Sequence, residues 1–158
     1  MRKHKDRVLD RIDYNILRQL QKNGRMTNAD LARTVNLSPT PCLERVRRLE
    51  MEDYILDYIA ILNPQKLGVA VIIFIQVLLD RTSPGVFERF KKEVNLCPEI
   101  AECHMVAGGF DYLLKVRTDS MIEYRHFLDQ TLARMSDIKQ THTYVVMEEV
   151  KATHLLNI

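Results

Sequence analysis

From Asp10 to Lys22 the apolar residues Ile12, Ile16, Leu17 and Leu20 recur at helical spacing, and Asn23-Gly24 supplies a stop. In "MTNADLARTVNL", Thr27 is a candidate cap and Asp30 lies in the first turn. Leu31, Ala32 and Val35 share one side, so a short second helix ending near Asn36 is predicted. "LSPTPCLERVRRLE" predicts a third. Ser38 stands at its N-cap and Pro39 at its first position, where a missing N–H costs nothing; Pro41 falls in the same turn. At about 100° per residue, Cys42, Leu43, Val46 and Leu49 share one face. Thr40, Pro41, Glu44, Arg47 and Arg48 lie opposite, with Arg45 flanking them.

Beyond Asp53 the period becomes two. "YILDYIAILNP" predicts a strand that links two domains, and Val69 to Leu79, rich in β-branched residues, a central strand. "SPGVFERFKKEV" predicts a helix with Ser83 as cap, Pro84 at the first position, and Phe87, Phe90 and Val94 on its buried side. "EIAECHMVAG" and "YLLKVRT" read as strands joined by the turn "GGFD". Ser120 and Glu123 form a capping-box signal ahead of Tyr124, Phe127, Leu128, Leu132 and Met135, and "IKQTHTYVVMEEV" closes with a strand. The order β-α-β-β-α-β is the ferredoxin-like, split β-α-β arrangement. The expected fold is therefore α+β: a helix-turn-helix, winged-helix-like domain over residues 1–54, a linker strand over 55–65, and a ferredoxin-like domain over 66–158. Both helices of the second domain should cover one face of an antiparallel sheet, leaving the other to polar residues. Only Gln76 interrupts the apolar run from Val69 to Leu79, so the open face needs a cover, and a second copy of the same sheet is the simplest one.

Charge sharpens this division. The net charge of +2 is small, but residues 1–54 hold 12 Lys and Arg against 8 Asp and Glu, a net of +4, while the remainder holds 11 against 13, a net of −2. A polyanion should meet the first part. In a helix-turn-helix the recognition helix enters the major groove of double-stranded DNA leading with its N-terminal residues. Thr40 and Glu44 are placed to read bases, Glu44 by accepting from a cytosine amino group, and Arg45, Arg47 and Arg48 to hold guanine edges or phosphates. Asn28 and Ser38, at the starts of the second and third helices, join this DNA-binding set. A basic helix face that merely meets solvent is the bland alternative; the turn spacing, the proline start and the confined basic excess together favour DNA. "MRKHK" at the start is expected to be a frayed terminus rather than an arm on phosphates.

Other chemistry finds little support. Cys42, Cys97 and Cys103 are odd in number and show no C-x-x-C spacing, as core thiols in a reducing cytosol would. The eleven-residue run "VAVIIFIQVLL" falls short of the ~20 residues of a membrane helix. "MRKHK" leads into charged sequence rather than an apolar signal core, so a soluble, cytoplasmic protein is expected. His104, His126, His142 and His154 form no i, i+4 pair, and no Walker loop, G-x-G-x-x-G or G-x-S-x-G elbow occurs. No enzyme, metal or cofactor is expected. In "GGFD" the paired glycines would let a backbone approach a ligand and Asp111 could pair with an ammonium group, though a tight turn explains the same residues.

"LDRIDYNILRQLQKNGRM", "LSPTPCLERVRRLE", "AILNP", "GGFDYLL" and "TYVVMEEV" together resemble the Lrp/AsnC family of bacterial and archaeal transcription factors over nearly the whole chain. The resemblance implies a nucleoid-associated regulator with an amino-acid-sensing C-terminal domain. It implies homodimers that join into larger rings, commonly octamers, and an effector such as leucine bound between dimers that shifts assembly and DNA affinity. Carried over by position, it implicates Met105, Gly108, Asp111, Met121, Thr141, Thr143, Tyr144, Val145 and Val146 in binding the effector. Asp111 would attract the ammonium, amides near Gly108 the carboxylate, and methionines and valines an apolar side chain. Many family members carry an acidic residue where this chain has Gly109. That departure motivates a rival reading as an effector-independent DNA-architectural protein. A second rival, resemblance to siroheme decarboxylases, would need histidines lining the C-terminal pocket.

Overall fold

The computed structural model describes residues 8–82, 84–135 and 137–158; "MRKHK" and the cap expected at Ser83 lie outside them. The chain divides into two units, one formed by residues 1–61 with 152–158, the other by 62–151.

The first unit holds α1 (Arg11–Lys22), α2 (Asn28–Thr34) and α3 (Pro39–Met51). Asp10 caps α1 by accepting from the amides of Ile12 and Asp13, both at 2.9 Å, and the Asp13 carboxylate accepts in return from the Asp10 amide at 3.1 Å. This reciprocal box satisfies donors that a bare helix end would leave open. Thr27 caps α2 through the Asp30 amide at 3.2 Å. α2 closes with Asn36 at φ +56°, the amide of Leu37 donating to Ala32 at 2.8 Å and that of Asn36 to Arg33. Asparagine tolerates this left-handed conformation, and the resulting tight turn delivers the chain directly into α3. Ile16, Leu20, Leu31, Ala32, Val35, Cys42 and Leu49 form the core of the unit. No strand follows α3 among the described residues of this unit.

The second unit holds β1 (Val71–Leu79), α4 (Val86–Asn95), β2 (Ile100–Met105), β3 (Tyr112–Thr118), α5 (Met121–Gln130), a short 3-10 turn (Leu132–Arg134) and β4 (Ile138–Val145). All pairings are antiparallel, in the order β2-β3-β1-β4, as expected for a split β-α-β fold. Alternation sends Ile73, Ile75, Val77, Leu114 and Val116 to the helix side, where they pack with Phe90, Val94, Tyr124 and Phe127. Ile72, Phe74, Gln76, Leu78 and Leu113 occupy the other side, which no element of this unit's own α4 or α5 layer covers.

Four expectations change. Residues 54–64 form no strand: no neighbour in the chain offers them a ladder, and both edges of the sheet are other strands. The helix expected from Pro84 starts at Val86, because Gly85 turns the chain at φ +71° and leaves Pro84 outside, its carbonyl accepting from Arg89 Nη1 at 2.6 Å. The last helix stops at Gln130, and Leu132 and Met135 are buried from the turn and strand approach beyond it. Residues 152–158, expected in the second domain, return to the first unit, where Gln21 exchanges two hydrogen bonds of 2.9 Å with the backbone of Leu156 and Arg18 Nε donates to the Ile158 carbonyl at 2.6 Å.

Candidate nucleic-acid interface and ligand-binding region

α3 meets the rest of its unit through charge as well as apolar contact. Asp13 is 1% exposed. Its Oδ1 accepts from Arg45 Nη1 at 2.8 Å and lies 2.6 Å from Arg48 Nη2, and Arg45 reaches Asp10 at 2.7 Å as well. The amide of Asp13 and then the guanidinium of Arg45 hold the Asp10 carboxyl at about 2. Two of the three arginines assigned to DNA from the sequence therefore face inward. They tie α3 to the start of α1 through these ion pairs, and both side chains stay partly exposed. The helical wheel put Arg48 outside because it has no knowledge of a buried carboxylate on a neighbouring helix.

Besides Pro39 and Met51 at its ends, α3 exposes Thr40, Leu43, Glu44 and Arg47, spaced i, i+3, i+4, i+7 along one stripe. Leu43 departs from the expected face: Cys42 and Leu49 are buried and Val46 packs against them, while Leu43 is 36% exposed. Ser38 occupies the N-cap but makes no side-chain capping bond. An N-cap oxygen accepts from the second or third amide of the helix; Pro41 removes the third, and the Thr40 amide is not bonded to Ser38. Asn28 Nδ2 donates to the Pro39 carbonyl at 2.8 Å, so this side chain positions the start of α3 against α2.

In the second unit the expected effector residues fall into separated groups. Met105 ends β2 and Gly108 lies in the exposed hairpin beyond it, whereas Thr141, Thr143, Tyr144 and Val145 lie on β4, at the opposite edge of the sheet. Three strand spacings, roughly 14 Å, separate Met105 on β2 from β4. Alternation splits the β4 group again: Thr141, Thr143 and Val145 pair with the helix-side residues Val77, Ile75 and Ile73, while Tyr144 pairs with Phe74 on the open side. The amide of Val146 donates to Ile72 at 2.9 Å, and the Thr143 hydroxyl lies 2.6 Å from that of Tyr124. Met121 is exposed at the first turn of α5.

Asp111 is 2% exposed. One carboxylate oxygen accepts from the Leu79 amide at 2.9 Å and the other from Arg81, through Nε at 3.1 Å and through Nη2. The carboxylate offered by the sequence to a ligand ammonium is thus already engaged within the fold, closing the hairpin onto β1. Cavities open on the described residues of this unit. One of about 310 Å³, lined by Val69, Arg117, Thr118, Glu123, His126 and Phe127 among others, lies at the end of β3 remote from the hairpin. Another, of about 160 Å³, lies between Gln76, Leu78, Gly109, Phe110, Gln140 and His142. Each is lined by one histidine, and among the described residues no cluster of three or more His, Cys, Asp or Glu is arranged to hold a metal. Burial pushes the thiols of Cys42, Cys97 and Cys103 up, away from the reactive thiolate. No described helix is long and apolar enough to cross a membrane.

Comparison with known proteins agrees with both halves of this anatomy. Residues 9–55 match the family model for a winged helix-turn-helix DNA-binding domain, and residues 72–156 that for the Lrp/AsnC ligand binding domain. The leucine-responsive regulatory protein of Escherichia coli K12 is 51% identical over 157 residues, covering 99% of this chain and 96% of that protein. A transcriptional regulator from Neisseria meningitidis, solved in complex with L-Met, superposes with a TM-score of 0.90 at 34% identity, over 94% of this chain and 96% of the other. An AsnC family regulator from Agrobacterium tumefaciens gives a TM-score of 0.89 at 33% identity over the same shares. With both halves matched over nearly their full length, the chain belongs to the Lrp/AsnC family of effector-modulated, DNA-binding transcription regulators.

Proposed function

We propose that this regulator reads double-stranded DNA with Thr40, Glu44 and Arg47, while Arg45, Arg48 and Asn28 hold α3 at the angle that presents them. The observation that carries this reading is the exposed stripe on a helix whose start is stiffened by Pro39 and Pro41 and whose flank is pinned to buried Asp13. Pro39 and Pro41 leave Thr40 as the one backbone N–H of the first turn's opening three residues, beside an unused Ser38 hydroxyl. Both suit a phosphate oxygen.

The effector is an amino acid with an apolar side chain, leucine or methionine. Support comes from the leucine-responsive relatives and from the L-Met complex of the Neisseria regulator. Because Met105 on β2 and the β4 group lie at opposite edges of one sheet, the site joins the β2 end and hairpin of one copy to α5 and β4 of another, within a homo-oligomer such as an octamer. A ligand held between copies favours the assembly that contains the site, which is the differential affinity that any coupling to DNA requires. The protein then acts in the cytoplasm on the nucleoid.

Fluorescence anisotropy of the full chain on DNA from upstream of its own gene, against scrambled DNA at fixed salt, tests this with and without leucine or methionine. Tighter binding to the upstream DNA, shifted by either amino acid, is expected. Equal binding to both DNAs overturns the sequence-selective reading, and preference without any amino-acid effect overturns the effector.

A further inference from the structure

Leu43 stands apart from the other apolar residues of α3. Cys42 and Leu49 lie in the core and Val46 packs beside them, yet Leu43 points out of the unit in the middle of the stripe formed by Thr40, Glu44 and Arg47. At 1.5 Å per residue that stripe is about 10 Å long, the height of roughly three base pairs. Since Arg45 and Arg48 turn inward to Asp10 and Asp13, the centre of the outward surface is apolar instead of cationic. Thr40, one turn before Leu43, adds a second methyl on the same line, and Arg47, one turn after it, supplies the charge that draws the stripe onto DNA.

Carbonyl, amino and ring-nitrogen groups on base edges all need polar partners. The major-groove feature that an aliphatic side chain satisfies is the C5-methyl of thymine. We propose that Leu43 is a specificity-determining residue that reads a thymine methyl, aided by the Thr40 methyl. The inference rests on the DNA-binding role of α3 and assigns it a base preference.

The test uses the full-length protein and the upstream fragment made twice, once with thymidine and once with deoxyuridine throughout, a change that removes only the C5-methyl. The wild type should bind the uracil fragment at least about fourfold more weakly, the factor that burial of one methyl contributes. Leu43→Ala, a substitution at an exposed position with high helix propensity, should bind the thymine fragment weakly to the same degree and no longer distinguish the two. Leu43→Met, which keeps an apolar side chain of similar reach, should retain the preference. Equal wild-type binding to the two fragments, alongside clear discrimination against scrambled DNA, overturns the role of Leu43 alone; so does a Leu43→Ala variant that still discriminates like the wild type. Failure to prefer either fragment over scrambled DNA overturns the DNA-reading role of α3 together with this assignment.

Discussion

Arg47 and Arg48 are neighbours in the chain with opposite surroundings: Arg47 is exposed on the outward stripe, and Arg48 is drawn to the buried carboxylate of Asp13. Arg47→Ala should weaken DNA binding and flatten its dependence on salt, by about 0.9 in log–log slope for each phosphate that Arg47 neutralises. Arg48→Ala should leave that slope unchanged and lower the urea midpoint instead. Anisotropy across a salt series, beside a urea titration, separates the two. Asp111 poses a similar choice. Removing its carboxylate strands a buried Leu79 amide and releases the largely exposed Arg81, so Asp111→Ala should cost the second unit about 1–3 kcal/mol in chemical denaturation. A variant of wild-type stability without an amino-acid response would instead restore the ligand-ammonium role.

Helix ends carry the argument at the scale of elements. Thr27 and Ser38 both stand at N-caps, but only Thr27 makes a capping bond; at Ser38, Pro41 removes the third-position donor and the Thr40 amide goes unused by the hydroxyl. Thr27→Ala should therefore cost about 1 kcal/mol and Ser38→Ala no more than a few tenths, as read by thermal or urea unfolding of the first unit. Periodicity made all five helices visible, along with the hairpin and the strands of the sheet. It misplaced the start of α4, where a proline suggested a first turn that Gly85 forecloses by adopting a left-handed conformation. It also read residues 54–64 as a strand because alternation reports which side chains share a face and says nothing about whether a backbone partner exists.

For the molecule as a whole, the open side of the sheet is the feature that calls for a partner. Phe74, Leu78 and Leu113 share it with buried Ile72, and α4 and α5 cover only the opposite side. Phe74→Glu should leave the unit folded, since that side chain lies outside the helix-side core, and shift the sedimentation profile towards smaller species. An unchanged profile would place the interface between copies elsewhere on the surface.

Local physics settled much of this protein within the sequence. Apolar spacing, proline and capping residues specify a three-helix unit and a split β-α-β unit, and the basic excess of residues 1–54 points to a polyanionic partner. Those signals act over a few residues, through helix dipoles, turn geometry and side-chain alternation, so one chain suffices to read them. Tertiary structure decided what depends on pairs distant in sequence. Asp13 captures Arg45 and Arg48 from another helix, Arg81 and Leu79 engage Asp111 across about thirty residues of chain, and residues 152–158 return to α1. Pattern along the chain cannot express such pairings, because whether a charge faces solvent or a counter-charge is a property of the packed neighbourhood and not of the residue that bears it.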